Sequence, residues 1–191
     1  MALRAFKRVF TPQEYLTLER QAATKSEFFD GEIYAMAGAS RKHNLITLNA
    51  ASELRRQLRG RPCEVYVAEM RVRVGATGLY TYPDASVVCG QPVFEDIQGD
   101  TLLNPTVLIE VLSPSTEAYD RGEKFSQYRR LASLREYVLI AQDRVLVEHY
   151  RRRGDLWVIG DLRSLADVLH LESIDCQIPL NEIYYQVEME A

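Results

Sequence analysis

The chain has 191 residues, 47% of them hydrophobic, and a formal net charge of −4. That content can close a core and points to one domain over residues 1–191, while the acidic balance excludes a protein that coats nucleic acid nonspecifically and leaves room only for a local cationic groove. Cys63, Cys89 and Cys176 are odd in number, widely spaced and without Cys-x-x-Cys pairing. They predict a reduced, cytoplasmic protein with neither disulfides nor structural zinc, and Met1–Lys7 offers no apolar stretch for a signal peptide or membrane span.

In chain order, Thr11-Pro12-Gln13-Glu14 reads as a capping box with proline at the first helical position. It predicts a helix from Pro12 to about Ala22, with Phe10 and Tyr15 as a hydrophobic staple. Asp30-Gly31 between β-prone residues predicts a hairpin over 28–34, with Glu32 just past the turn. Ser40 caps a second helix whose Leu45, Leu48, Ala51, Leu54 and Leu58 form an apolar stripe ending near Gly60. Arg41, Lys42, Arg55, Arg56, Arg59 and Arg61 fall in this segment with Glu53, which a solvated face explains well enough. The alternation Met70 to Val74 predicts one half-exposed strand from about Glu64 to Val74, turning over Gly75–Gly78.

Two acids then interrupt apolar runs: Asp84 in Tyr82–Val88 and Glu110 in Val107–Leu112. An ionised carboxylate in a buried strand is unfavourable by several kcal/mol, roughly, unless its charge is compensated. If the strands are neighbours, opposed side chains start about 5 Å apart at Cβ, and one divalent cation at about 2.1 Å can satisfy both. That is the pattern of a metal-dependent phosphodiesterase site. A helix over about Asp120–Ala132 follows, burying Phe125, Tyr128, Leu131 and Ala132, and Tyr137–Ala141 resumes the sheet. A hairpin is expected around Arg153-Gly154-Asp155. The tail from Leu165 to Val187 carries no clear pattern.

The order helix, three strands, helix, strand, with acids on the second and third strands, is similar to the core of the PD-(D/E)XK nuclease superfamily. The chain resembles, more narrowly, the Uma-two family of restriction endonucleases, through Asp30-Gly31-Glu32-Ile33, Tyr82-Pro83-Asp84, Glu110 to Thr116, Asp120 to Phe125 and Tyr128-Arg129-Arg130. The resemblance implies a mixed α/β, restriction-endonuclease-like fold with its core over about 40–141. It implies metal ligation by Asp84, Glu110 and the Val111 backbone carbonyl, and assistance to the hydrolytic water by Lys124. Glu32 is implied as a further catalytic acid and His43 as a residue bordering the site. His43, in the first turn of its helix where backbone amides attract anions, is a candidate phosphate contact; Arg121 and Tyr128 are further candidate nucleic-acid contacts, with core packing that positions Lys124 as the other account of Tyr128. Mg²⁺, with Mn²⁺ as substitute, a DNA substrate and a homodimer belong to the same set. The chain departs from the superfamily where a lysine usually stands two residues after the strand acid: Leu112 occupies that position, and Lys124 resembles its migrated replacement. The competing account of Lys124 is a surface i, i+4 pair with Asp120. A binding module with weak or lost cleavage, and an RNA or structured-DNA substrate, are the alternative functions.

Overall fold

The computed structural model describes residues 8–189, so the Met1–Lys7 stretch lies outside the described residues. Helix α1, Pro12–Glu19, begins on the expected capping box, with Glu14 N donating to Thr11 Oγ1 at 3.2 Å and Thr11 N to Glu14 Oε2 at 2.8 Å. It ends before Ala22 because Glu19 turns inward, accepting from Ser26 N and the Tyr82 hydroxyl, each at 2.9 Å. Phe10 packs on the small core of Tyr15, Phe28 and Tyr80, as the staple requires. Strands β1, Ser26–Phe29, and β2, Glu32–Ala35, form the Asp-Gly hairpin, with Asp30 and Gly31 at φ 49° and 79°. A Cβ on Gly31 would lie 2.3 Å from Val9, so glycine is needed for space as well as for backbone angle.

Helix α2, Arg41–Gln57, starts where Ser40 Oγ accepts from His43 N at 3.0 Å. Its buried stripe is Ile46, Ala50 and Leu54, continued by Leu58, whereas Leu48 is 61% exposed. Ala51, Leu54 and Leu58 of the expected stripe are buried, and Ile46 and Ala50 take the inward places predicted for Leu45 and Leu48.

The single strand expected over 64–74 is two strands, β3, Cys63–Val67, and β4, Arg71–Val74, in different sheets. The chain breaks at Ala68, whose N–H donates to the Asp84 carbonyl at 3.0 Å. Nor is β4 half-exposed. Arg71 is buried because Thr101 Oγ1, the Tyr82 hydroxyl and Asp100 satisfy its guanidinium at 3.0, 2.7 and 3.0 Å. Alternation of charge and valine therefore misleads where the cation has its own buried partners.

The remaining strands are β5, Leu79–Thr81; β6, Ala85–Cys89; β7, Thr101–Leu102; β8, Val107–Leu112; β9, Glu136–Ala141; β10, Val147–Arg153; β11, Leu156–Leu162; β12, Val168–Leu171; and β13, Cys176–Pro179. A six-stranded sheet in the order β11-β10-β9-β8-β6-β3 faces a five-stranded one in the order β2-β1-β5-β4-β7, and β12 pairs with β13. Strands β8 and β9 are parallel, joined by α3, Glu117–Tyr119, a π-helical turn, Asp120–Lys124, and α4, Phe125–Tyr128. This segment starts before Asp120 and stops short of Ala132, and its inward stripe is Asp120, Lys124 and Tyr128. β8 is buried throughout: Val107, Ile109 and Val111 meet α2, β12, β13 and the short helix α5, Leu180–Ile183, while Leu108 and Leu112 meet β4, Tyr128 and Tyr137.

The expectation of three free thiols is corrected. Cys63 and Cys89 are register partners on the antiparallel pair β3–β6 and form a disulfide, leaving Cys176 free and buried. A separation of 26 residues carries no sequence signal for such a pairing. Reduction, or Cys63→Ser with Cys89→Ser, should lower unfolding stability by about 2–4 kcal/mol in a denaturant titration, since the bridge restricts the unfolded chain.

Candidate active site

The site is built where β6 begins and β8 nears its end. Ala85 pairs with Ile109, so Asp84, at the bend entering β6, falls opposite Glu110 in register and on the same face of the sheet. Asp84 is therefore not a strand residue, as its apolar neighbours imply, but the residue before the strand. Its carboxylate Oδ2 accepts from Val111 N at 2.7 Å and lies 3.1 Å from His43 Nε2, delivered by the first turn of α2. A strand residue's N–H and carbonyl leave on the same edge, so the Val111 carbonyl faces the Asp84 side of β8.

Glu110 sits in the middle of the buried strand, 4% exposed. The Tyr128 hydroxyl donates to its Oε1 at 2.8 Å, and Lys124 Nζ lies 3.0 Å from the same oxygen. Lys124 is also 3.3 Å from Glu27 and 3.5 Å from Asp120. Its side chain is 7% exposed, which replaces the surface i, i+4 pair with a buried cluster. The π-helical turn presents both Asp120 and Lys124 inward, with Gly122 in the turn weakening regular helix there.

Electrostatics follow from burial and excess negative charge. Desolvation, then reinforcement by Asp120 and Asp84 against the opposing pull of Lys124, pushes the Glu110 carboxyl up to about 8. Desolvation likewise raises Asp120. Burial alone would push Lys124 down, but Glu110, Glu27 and Asp120 outweigh it and hold the ammonium well above its usual range. The lysine is a fixed positive charge among acids, not a base near neutrality.

The structure brings together Asp84, Glu110, Val111, Lys124 and His43. Arg121 and Glu32 are engaged elsewhere, and Tyr128 reaches the site only from behind Glu110. Tyr128 is fully buried behind Glu110, with no surface to meet a phosphate, so the expected nucleic-acid contact is corrected to a hydrogen-bond donor that orients the acid. Arg121 is directed to Glu148 at 2.7 Å and to Glu117. Glu32 is on β2, the outermost strand of its sheet, accepting from the Tyr34 hydroxyl at 3.0 Å. The hairpin delivers Glu27 to Lys124, and the Thr81 hydroxyl donates to that carboxylate. The sequence carried a signal for Glu27, an acid next to two consecutive aromatic residues in Glu27-Phe28-Phe29, akin to the acid in an apolar run that singled out Glu110.

Among the described residues, no set of three or more His, Cys, Asp or Glu side chains converges to hold a metal ion alone. The donors still suit a small, hard divalent cation, since Mg²⁺ takes one or two carboxylates and keeps several waters. Asp84, Glu110 and the Val111 carbonyl are oxygen donors at the edge of a cluster whose acids outnumber its one ammonium.

A helix, three strands, helix, strand core, with Asp84 just before β6 and Glu110 within β8, defines a restriction-endonuclease-like mixed α/β fold. The chain belongs to the Uma2 family, described as "Putative restriction endonuclease", whose model matches residues 12–181. It is 39% identical over 163 residues to the uncharacterised protein sll1609 of Synechocystis sp., covering 85% of this chain and 92% of that one. It is 37% identical over 175 residues to slr1290 of the same organism, also uncharacterised, covering 91% and 90%. A crystal structure from Anabaena variabilis, titled as "a putative nuclease belonging to DUF820", superposes with a TM-score of 0.75 at 20% identity, covering 92% of this chain and 98% of that one. No helix among the described residues is long and apolar enough to cross a membrane.

Proposed function

We propose that the chain acts as one domain, a Mg²⁺-dependent endonuclease that hydrolyses phosphodiester bonds in DNA, with Mn²⁺ as a substitute ion and a homodimer as the working form. The observation carrying this reading is the opposed pair Asp84 and Glu110 with the Lys124 ammonium 3.0 Å from Glu110. Asp84, Glu110 and the Val111 carbonyl would hold the ion, which when bound supplies charge stabilisation on phosphoryl oxygens and lowers the pKa of water. Tyr128 fixes the Glu110 carboxylate, and His43 with Val111 N fixes Asp84, so neither acid must reorient to bind. Lys124, held as an ammonium, neutralises negative charge that builds on the phosphoryl group. His43 is then a positioning residue for Asp84 and not a direct phosphate contact.

The test is cleavage of supercoiled plasmid with Mg²⁺. Asp84→Asn with Glu110→Gln should lower the rate more than about 100-fold, since loss of ligands exceeds the effect of losing their outer partners. Asparagine retains an acceptor for Val111 N and so separates chemistry from folding. Equal cleavage by the double variant and the wild type would end the proposal.

A second reading is a binding module on the same scaffold, favoured by the Lys124 ammonium already compensating Glu110. Calorimetry with Mg²⁺ or Mn²⁺ separates the two: no heat of binding, with DNA bound equally in EDTA, selects the module. RNA in place of plasmid in the cleavage assay decides the polymer, because a site that recognises the phosphodiester carries no base preference of its own.

A further inference from the structure

A cavity of about 810 Å³ lies between the C-terminal half of α2 and the edge strand β3, away from the acid cluster. Arg55, Arg56, Arg59 and Arg61 line it, and no acidic residue does, in a chain whose net charge is −4. Glu53 pairs with Arg56 at 2.7 Å and Arg61 donates to the Asp175 carbonyl at 3.2 Å, whereas Arg55 and Arg59 are exposed and make no ion pair with a described residue. Arg55 stands in the last turn of α2 and Arg59 in the turn that follows it, and both line the groove.

Both walls of this groove end at Asp84. On one side, β3 runs antiparallel to β6 until Val67 pairs with Ala85, and Ala68 N donates to the Asp84 carbonyl. On the other, α2 leads back to His43, whose ring meets the Asp84 carboxylate. His43 and Arg55 are separated by twelve residues of helix, about 18 Å. That spans about five base pairs of duplex.

We propose that this groove is a second, non-catalytic binding site, which holds the sugar–phosphate backbone of nucleic acid flanking the bond at Asp84, with Arg55 and Arg59 as its main phosphate contacts. The choice of nucleic acid over an acidic protein rests on the phosphodiester reading of the adjoining site, since the groove walls converge there. Backbone contacts of this kind bind irrespective of sequence and release counterions, so their signature is salt dependence.

The experiment is fluorescence anisotropy with a labelled DNA duplex in EDTA across a salt series, paired with plasmid cleavage in Mg²⁺. Arg55→Gln with Arg59→Gln should weaken duplex binding about tenfold or more and reduce the slope of log affinity against log salt by about one unit per arginine, alike on unrelated sequences. The control Arg153→Gln with Arg163→Gln makes the same change in charge on exposed residues elsewhere and should leave both nearly unchanged. Equal loss in the control, an unchanged slope in the Arg55 and Arg59 variant, or competition by polyglutamate as strong as by DNA would overturn the groove. Arginine-dependent binding without cleavage would uphold the groove and reject the nuclease reading. Normal cleavage and binding in the Arg55 and Arg59 variant would do the reverse.

Discussion

Lys124→Met should destabilise the metal-free protein by about 3–5 kcal/mol at pH 8, the range for removing one partner of a buried ion pair. The lysine is the only cation contacting Glu27, Glu110 and Asp120 together among the described residues, and its side chain is almost wholly buried. Methionine fills similar volume, so the loss reads charge more than packing. The loss should shrink toward pH 5, where the freed carboxyls take up protons and no longer need a counter-charge. Urea melts at the two pH values measure this. An equal and small effect at both would mean that the amine contributes nothing to compensating the acids. Burial of the cluster makes cleavage by a lysine variant hard to interpret without a stability measurement beside it.

Divalent-cation binding should expel a proton between about pH 5 and 8. Glu110 is raised from 4.5 to about 8, chiefly by desolvation, so at neutral pH it holds a proton that the ion must displace. Affinity for Mg²⁺ should therefore rise with pH, approaching tenfold per unit, and flatten above about 8. The stability of the metal-free protein has the opposite slope. The folded state binds more protons than the unfolded one between 4.5 and about 8, so the Glu110 contribution is fully present below 4.5 and is lost as pH rises through 8. Titration calorimetry in buffers of different ionisation enthalpy counts the released proton, and Glu110→Gln should abolish the release. Binding heats that do not depend on buffer would remove Glu110 from the ion's coordination.

The chain's local signals were strongest where a backbone requirement stood behind them. The Thr11 capping box, the Asp30-Gly31 hairpin and the Ser40 cap each satisfy identifiable backbone groups, and all three occur as read. Glu110 was legible because an acid amid Val and Leu in a buried strand demands a partner. What stayed hidden was long-range pairing. Nothing local separates β3 from β4, because the break at Ala68 is set by its hydrogen bond to the Asp84 carbonyl. Arg71 looked solvent-facing because its three partners lie 11 to 30 residues away. The Cys63–Cys89 bridge likewise depends on the register of two strands, not on cysteine spacing. At the site, the Asp-Gly turn points to Glu32, whereas sheet order puts β2 at the edge and β1 inside it, so that Glu27 is the hairpin acid that meets Lys124.

Asp84 also serves as masonry. Its carbonyl ties down the Ala68 bend and its carboxylate ties Val111 and His43, so one residue joins two strands and a helix at their common end. A descendant of this fold that had abandoned hydrolysis would keep that aspartate for architecture, while Glu110 and Lys124, whose mutual compensation can be dissolved together into apolar residues, would drift. Among homologues, the joint presence of the glutamate and lysine is therefore the better index of retained chemistry than the more conspicuous Pro-Asp.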